Sequence, residues 1–186
     1  MIKEWETVKT EDLGNYRVFQ LQAVERISPR TGNKHRFFKI QSSDWVNIMP
    51  ITADGRVVMV RQYRHGNSEI TLEVPGGMVD EGEDPMISAL RELREETGYE
   101  GVNPQKIGQV APNPALFDNI CHSYTVENVQ KVGEQEFDSA EDIEIELVPL
   151  TEIPNMIASG AITHALTINA YYFYQQHLQQ NINTEK

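Results

Sequence analysis

Between Gly77 and Tyr99 the chain reads GMVDEGEDPMISALRELREETGY, an acidic loop running into a helix that carries Glu92, Glu95 and Glu96 in its second half. No other stretch limits the fold as strongly. Asp84 before Pro85 marks the helix start, because the Asp side chain caps free amides and Pro at the first helical position gives up no needed donor. Gly98 marks its end, since glycine accepts the left-handed geometry that closes helices. At about 100° per residue, Met86, Ala89, Leu90, Leu93 and Thr97 gather on one side, where they can pack on a core. Ser88, Glu92, Glu95 and Glu96 gather on another. Like charges one helical turn apart repel and weaken an isolated helix, so this face needs a compensating partner. A divalent cation is the simplest one, and an all-oxygen ligand set selects hard ions such as Mg2+ or Mn2+. The competing reading is a solvated acidic face.

Spacing separates the two. Gly77, five residues, Glu83, seven residues, and then Arg91-Glu92-Leu93-Arg94-Glu95-Glu96-Thr97-Gly98-Tyr99 resembles the Nudix box at every fixed position. That family pattern is G-x5-E-x7-R-E-U-x-E-E-x-G-U, with Leu93 and Tyr99 as the bulky apolar U residues here. The resemblance implies an α/β fold, the Nudix α/β/α sandwich with a mixed sheet, over about residues 46–178. It also implies Mg2+, with Mn2+ as a substitute, held by Glu92 and Glu96, with Glu95 as a third carboxylate and the Gly76 carbonyl as a further ligand. Arg91 then orients the glutamates by ion pairing, and Glu83 positions a ligand or the loop. In relatives the general base comes from the box or from a later acidic loop. Glu141 is the choice by position, with Asp142 and Glu136 next.

The composition fits such a chain. Its 186 residues suit one domain with an appendage, and a hydrophobic content of 39% is enough for a packed core. A net charge of −12 argues against nucleic acid or an anionic membrane as partner. It is also awkward for an anionic substrate, so metal ions and local arginines must reverse the sign at the site. The single cysteine, Cys121, forms no intramolecular disulfide and reads as a small buried hydrophobe. The start has no apolar core of signal-peptide length, and no run approaches the ~20 apolar residues of a membrane span. A soluble, cytoplasmic protein is expected.

Residues 1–45 read as β structure, with strands over Tyr16 to Ile27 and His35 to Ile40 separated by the turn cluster Pro29 to Asn33. So few strands cannot hold a core alone. In the pyrophosphatase branch that the chain resembles, this region is where two subunits meet, so a homodimer is expected, with 1–45 for dimerisation and 46–186 as the hydrolase domain. Trp45 to Ile51 and Arg56 to Tyr63 are strands joined at Asp54-Gly55, the second of them apolar on both faces. Arg61 and Arg64, at its end, are expected to meet substrate phosphate or ribose, against the alternative of ion pairs to the acidic loop. Glu73 is expected at the mouth of the same cleft, near substrate or metal.

Ala111 to Asp118 carries two prolines and is a loop. Pro114 stands fifteen residues beyond the box, a mark of the ADP-ribose pyrophosphatase branch. The small, acid-ended sequence usual after that proline is replaced by Phe117 and Asp118, which widens the expected substrate from ADP-ribose to nucleoside diphosphate sugars. Phe117 either stacks on a base or folds into the core. Ile120 to Val129 and Ile143 to Leu150 read as strands, Thr151 as the cap of a short helix stopped by Gly160, and Thr163 to Gln176 as the last helix, with a frayed tail from Gln179. His164 reads as a packed or capping histidine.

The expected activity is hydrolysis of the pyrophosphate of a nucleoside diphosphate sugar, of the ADP-ribose or GDP-mannose type, to a nucleoside monophosphate and a sugar phosphate. The alternatives are a dinucleotide pyrophosphatase acting on NADH or diadenosine polyphosphates, and a non-catalytic nucleotide sensor.

Overall fold

The computed structural model describes residues 1–136 and 142–184, with side chains through 181. Backbone contacts divide the chain into two compact units, Met1–Ser43 with Ala111–Ile120, and Asp44–Val110 with Cys121–Lys186. A single linear boundary at 45/46 therefore leaves out one feature: the proline-bearing loop belongs with the N-terminal strands.

The first unit is an antiparallel sheet of β1 (Glu6–Asn15), β2 (Gln20–Ile27) and β3 (Lys34–Gln41), in that order. Strand β1 is almost wholly exposed and shows no alternation of apolar residues; its pairing with β2 holds it extended. Tyr16 to Phe19 is a turn rather than the start of a strand, with Arg17 in the left-handed region and the Tyr16 and Phe19 rings stacked 5.1 Å apart. The loop joins through Ile40 N to Leu116 O at 2.8 Å and a parallel bridge between Ile40 and Phe117. Ala23 and Val24 are buried, whereas Trp5, Phe37 and Phe38 remain exposed.

The second unit begins with β4 (Trp45–Thr52) and β5 (Arg56–Arg64), followed by β6 (Glu69–Glu73) and β7 (Gly76–Met78). After α1 (Pro85–Thr97) come β8 (Tyr99–Glu100), β9 (Gln105–Val110), β10 (Cys121–Lys131) and β11 (Ile143–Pro149). The chain then forms α2 (Ile153–Ser159) and α3 (Ala165–Thr184). The sheet is mixed: β11-β5-β4-β10-β8, with β6 on β5, β7 on β4 and β9 on β10. Strands β4 and β10 run parallel, Ile48 beside Tyr124, while β11 and β5 run antiparallel.

The apolar run Val57 to Val60 is fully buried because helices cover both faces. On one face Met49, Ile51, Val57 and Met59 pack with Ile153, Ile162, Ala170 and Tyr174 from the α2–α3 region. On the other, Val46, Ile48, Val58, Tyr124 and Val126 pack with Ala89 and Leu93 of α1. This is the α/β/α sandwich that the resemblance implied.

Three local expectations change. Thr151 makes no cap; a 3-10 turn over Leu150–Glu152 leads into α2, and Glu152 stands at its N-cap without a side-chain bond. Helix α3 continues to Thr184 instead of ending at Gln176, and Leu178 still packs on the core cluster. Met86 is 37% exposed, outside the buried stripe of α1, whereas Ser88 and Glu96, placed by periodicity on the charged face, are buried.

Candidate active site

Helix α1 starts and stops where its caps dictate. Asp84 accepts a hydrogen bond from Met86 N at 2.8 Å, and Gly98, at φ +69°, donates to Arg94 O at 2.8 Å. Between them Arg91 collects acids. Its Nη1 donates to Glu92 Oε1 and Glu95 Oε2, both at 2.9 Å, and its Nε and Nη2 reach Glu83 at 3.2 and 3.1 Å. Nη2 also donates to Ser88 Oγ at 3.2 Å and to Met78 O at 3.4 Å. These bonds push the Arg91 pKa far up, the Glu83 bond contributing most, and hold the Glu83 carboxyl below its usual range. The repulsion expected on this face is thus relieved in part by Arg91.

The glycine pair sets how closely α1 approaches β7. A Cβ on Gly76 would lie 2.8 Å from Asn47 Cα and nearer still to the Val46 carbonyl, so this residue has to be glycine for β7 to lie on β4. A Cβ on Gly77 would lie 2.5 Å from Glu92 Cδ, so its absence admits the Glu92 carboxylate. Gly76 N donates to Glu96 Oε2 at 3.0 Å, and Glu96 is only 4% exposed.

The donor set of Glu92, Glu95, Glu96 and the Gly76 carbonyl is all oxygen and suits a hard divalent cation. Two of the carboxylates are engaged by Arg91, and among the described residues no three acidic or histidine side chains converge as a ready-made cage. Glu95, with 40% of its side chain exposed, has one oxygen on Arg91 and no protein partner on the other among the described residues. The chemistry of the donors fits the cation.

The two arginines at the end of β5 both lie in ion pairs, though not with the acidic loop. Arg61 Nε pairs with Glu146 of β11. Arg64 donates from Nε and Nη2 to the two oxygens of Glu73 at 2.7 and 2.6 Å. Glu73 is 1% exposed and also receives Thr71 Oγ1, with His164 Nδ1 3.1 Å from its Oε2. Burial alone would raise the Glu73 pKa; the Arg64 bonds, with His164 and Thr71, outweigh it and bring it below the ordinary value. The expected place of Glu73 at the cleft mouth is therefore corrected: it faces inward, and its oxygens are spent on Arg64 and its neighbours. His164, set aside in the sequence, is part of this cluster.

Glu141 lies outside the described residues. Asp142 is exposed, and Glu136 donates its N–H to Glu95 O at 2.8 Å. Two residues that the sequence did not single out fix this region. Arg94 pairs with Glu100 and Glu136 and donates to Glu134 O at 2.9 Å, and Gln135 Nε2 donates to Glu96 O at 2.6 Å. They bind residues 134–136 to the end of α1. Phe117 belongs to the first unit, where it is half-buried and lines a pocket of about 540 Å3 with Trp5, Phe37, Phe38 and Lys39.

A family model for the NUDIX domain matches residues 44–169. The chain belongs to the Nudix family. The stretch Gly77 to Tyr99, loop and glutamate helix, is its Nudix box. The methanol dehydrogenase activator of Bacillus methanolicus is 33% identical over 174 residues, 92% of this chain and 93% of that one. The ADP-ribose pyrophosphatase of Bacillus subtilis (strain 168) is 28% identical over 184 residues, 98% of each. Among solved structures, an ADP compounds hydrolase superposes with a TM-score of 0.86 over 97% of both chains at 19% identity, a likeness of fold. Similarity to the ADP-ribose pyrophosphatase branch thus extends over the whole chain, beyond the box.

Proposed function

We propose that this chain is a Mg2+-dependent pyrophosphohydrolase. It cleaves the pyrophosphate of a nucleoside diphosphate sugar, ADP-ribose or GDP-mannose in the first place, to a nucleoside monophosphate and a sugar phosphate. One observation carries the reading: Glu92, Glu95 and Glu96 all stand on α1, drawn in beside Gly76 and Gly77 by Arg91 and the Gly76 amide. A module that only senses nucleotide has no use for three such carboxylates. The whole-length likeness to an ADP-ribose pyrophosphatase supports the same substrate class.

Glu92, Glu96, Glu95 and the Gly76 carbonyl would hold Mg2+, or Mn2+ in its place, which would neutralise phosphate charge and make a bound water more acidic. The chain's own residues do the rest. Arg91 and Glu83 hold the carboxylates in register. Arg64 presents a cation for the diphosphate, and Arg61, three residues earlier on β5, is the second arginine for the substrate. Glu141 takes the proton from the attacking water, and Glu136 and Asp142 are the second choices. Phe117, in its aromatic pocket, stacks on the base. The exposed Trp5, Phe37 and Phe38 support residues 1–45 as a dimerisation region and a homodimer as the working form.

The test is a phosphatase-coupled release assay with Mg2+ on ADP-ribose, GDP-mannose, UDP-glucose, NADH and diadenosine polyphosphates. Turnover of one or two nucleoside diphosphate sugars, lost in Glu96→Gln, is the expected result. Turnover of the dinucleotides alone would move the substrate class. Nucleotide binding without any turnover would make the chain a sensor.

A further inference from the structure

Glu73 is a buried carboxylate that no step of the proposed reaction uses. Two oxygens offer about four acceptor sites, and here three hydrogen bonds and one close histidine contact take them up. Oε1 receives Arg64 Nε at 2.7 Å and the Thr71 hydroxyl; Oε2 receives Arg64 Nη2 at 2.6 Å and faces His164 Nδ1 at 3.1 Å. Nothing is left for a cation or a sugar hydroxyl. His164 is fixed in turn: its Nδ1 is 3.0 Å from Thr167 Oγ1, which accepts Val74 N at 3.2 Å, and its carbonyl accepts Ile168 N as α3 begins.

With its hydrogen on Nδ1, His164 presents a donor between the Thr167 hydroxyl and the Glu73 carboxylate, which can only accept. Both the neutral Nδ1–H form and the imidazolium present that donor. The outer side of the arrangement is Arg64. Its guanidinium side chain is 42% exposed, and among the described residues no acceptor engages its other three N–H groups.

We propose that His164, with Thr71, is a positioning residue: it locks the Glu73 carboxylate, which holds the Arg64 fork preset to receive substrate phosphate. This rests on Arg64 as the phosphate contact. A carboxylate bonded only by Arg64 could turn about its last torsion and carry the arginine with it, so substrate would have to order both groups on binding.

Two measurements separate the strut from the phosphate contact. The first is structural and independent of activity. In 15N-labelled protein near neutral pH, a clamped Arg64 Nε–H gives a sharp, slowly exchanging resonance, assigned by its loss in Arg64→Lys. His164→Leu should broaden it or bring it into fast exchange, and His164→Asn, whose amide places a donor near the Nδ1 position, should restore it. An unchanged resonance in His164→Leu overturns the strut. The second is kinetic, with ADP-ribose and Mg2+. Arg64→Met should raise KM roughly 10- to 100-fold, the effect of losing a charged hydrogen bond. His164→Leu should raise KM roughly 3- to 10-fold, the cost of ordering one long side chain, with kcat within about twofold. His164→Asn should recover it, and His164→Leu should add nothing in the Arg64→Met background. Full additivity there overturns the strut. An unaltered KM in Arg64→Met, with the clamped resonance present in the parent protein and lost in His164→Leu, overturns the phosphate contact alone.

Discussion

Gly77, the first residue of the Nudix box, and Gly76, just before it, should fail in opposite ways when given a methyl group. In Gly76→Ala the new Cβ meets backbone, lying 2.8 Å from Asn47 Cα and closer to the Val46 carbonyl. Backbone in a paired strand cannot move aside, so β7 must lift from β4. Overpacking of this kind costs about 1–3 kcal/mol. For a chain of this size that is a fall in Tm of about 2–4 °C per kcal/mol, hence roughly 2–12 °C. In Gly77→Ala the Cβ meets the end of a flexible side chain, 2.5 Å from Glu92 Cδ. Glu92 can swing away at little cost, so Tm should fall by no more than a few degrees. The carboxylate must then retreat by about 1 Å to reach ordinary contact. Misplacement on that scale can cost on the order of 100-fold in rate. Thermal melts followed by circular dichroism, and initial rates on ADP-ribose with Mg2+, read out the two effects. Gly77→Ala at full activity, or Gly76→Ala at an unchanged Tm, would refute the assignment of these glycines.

Other expectations follow from single groups. Burial pushes the Cys121 thiol up to about 12, with Asp44 adding to it, so a thiol reagent at pH 8 should leave the folded protein unlabelled and label it fully in urea; fast native labelling would contradict its burial. The Glu73 pKa is lower folded than unfolded, so its contribution to stability is complete above the ordinary value of 4.5 and is lost as pH falls through the folded value. Between pH 5 and 3 the Tm of the parent should therefore fall more steeply than that of Glu73→Gln, and parallel slopes would refute this. Glu141→Gln should keep metal binding by titration calorimetry while losing at least ~100-fold in kcat, the usual contribution of a general base; near-normal turnover would remove Glu141 from that role.

What could be read in the sequence was what local signals encode. The cap at Asp84, the proline after it and the stop at Gly98 bound α1 correctly because each acts within one turn of the helix. The turn at Asp54-Gly55 and the apolar run Val57 to Val60 likewise fixed a strand pair and its burial. Strand β1 has no such signal, since it is mostly polar, its Val8 and Leu13 do not alternate, and it is extended because β2 pairs with it. Helix α3 outlasted its reading: Leu178, past the expected end at Gln176, packs on the core cluster, and the helix runs on through the polar residues to Thr184. At the site, periodicity put Glu96 with the exposed acids, but β7 covers that face and the Gly76 amide takes the carboxylate. Glu73 misled for the same reason. Its partners Arg64, Thr71 and His164 come from β5, from β6 itself and from the residue before α3, and only the fold brings them together.

The most direct test is product analysis of ADP-ribose incubated with this protein and Mg2+, resolved by chromatography. The account predicts AMP and ribose 5-phosphate in equal amounts, with neither formed after chelation or by Glu96→Gln. Cleavage at any other bond, or the same products from the chelated protein, would contradict it.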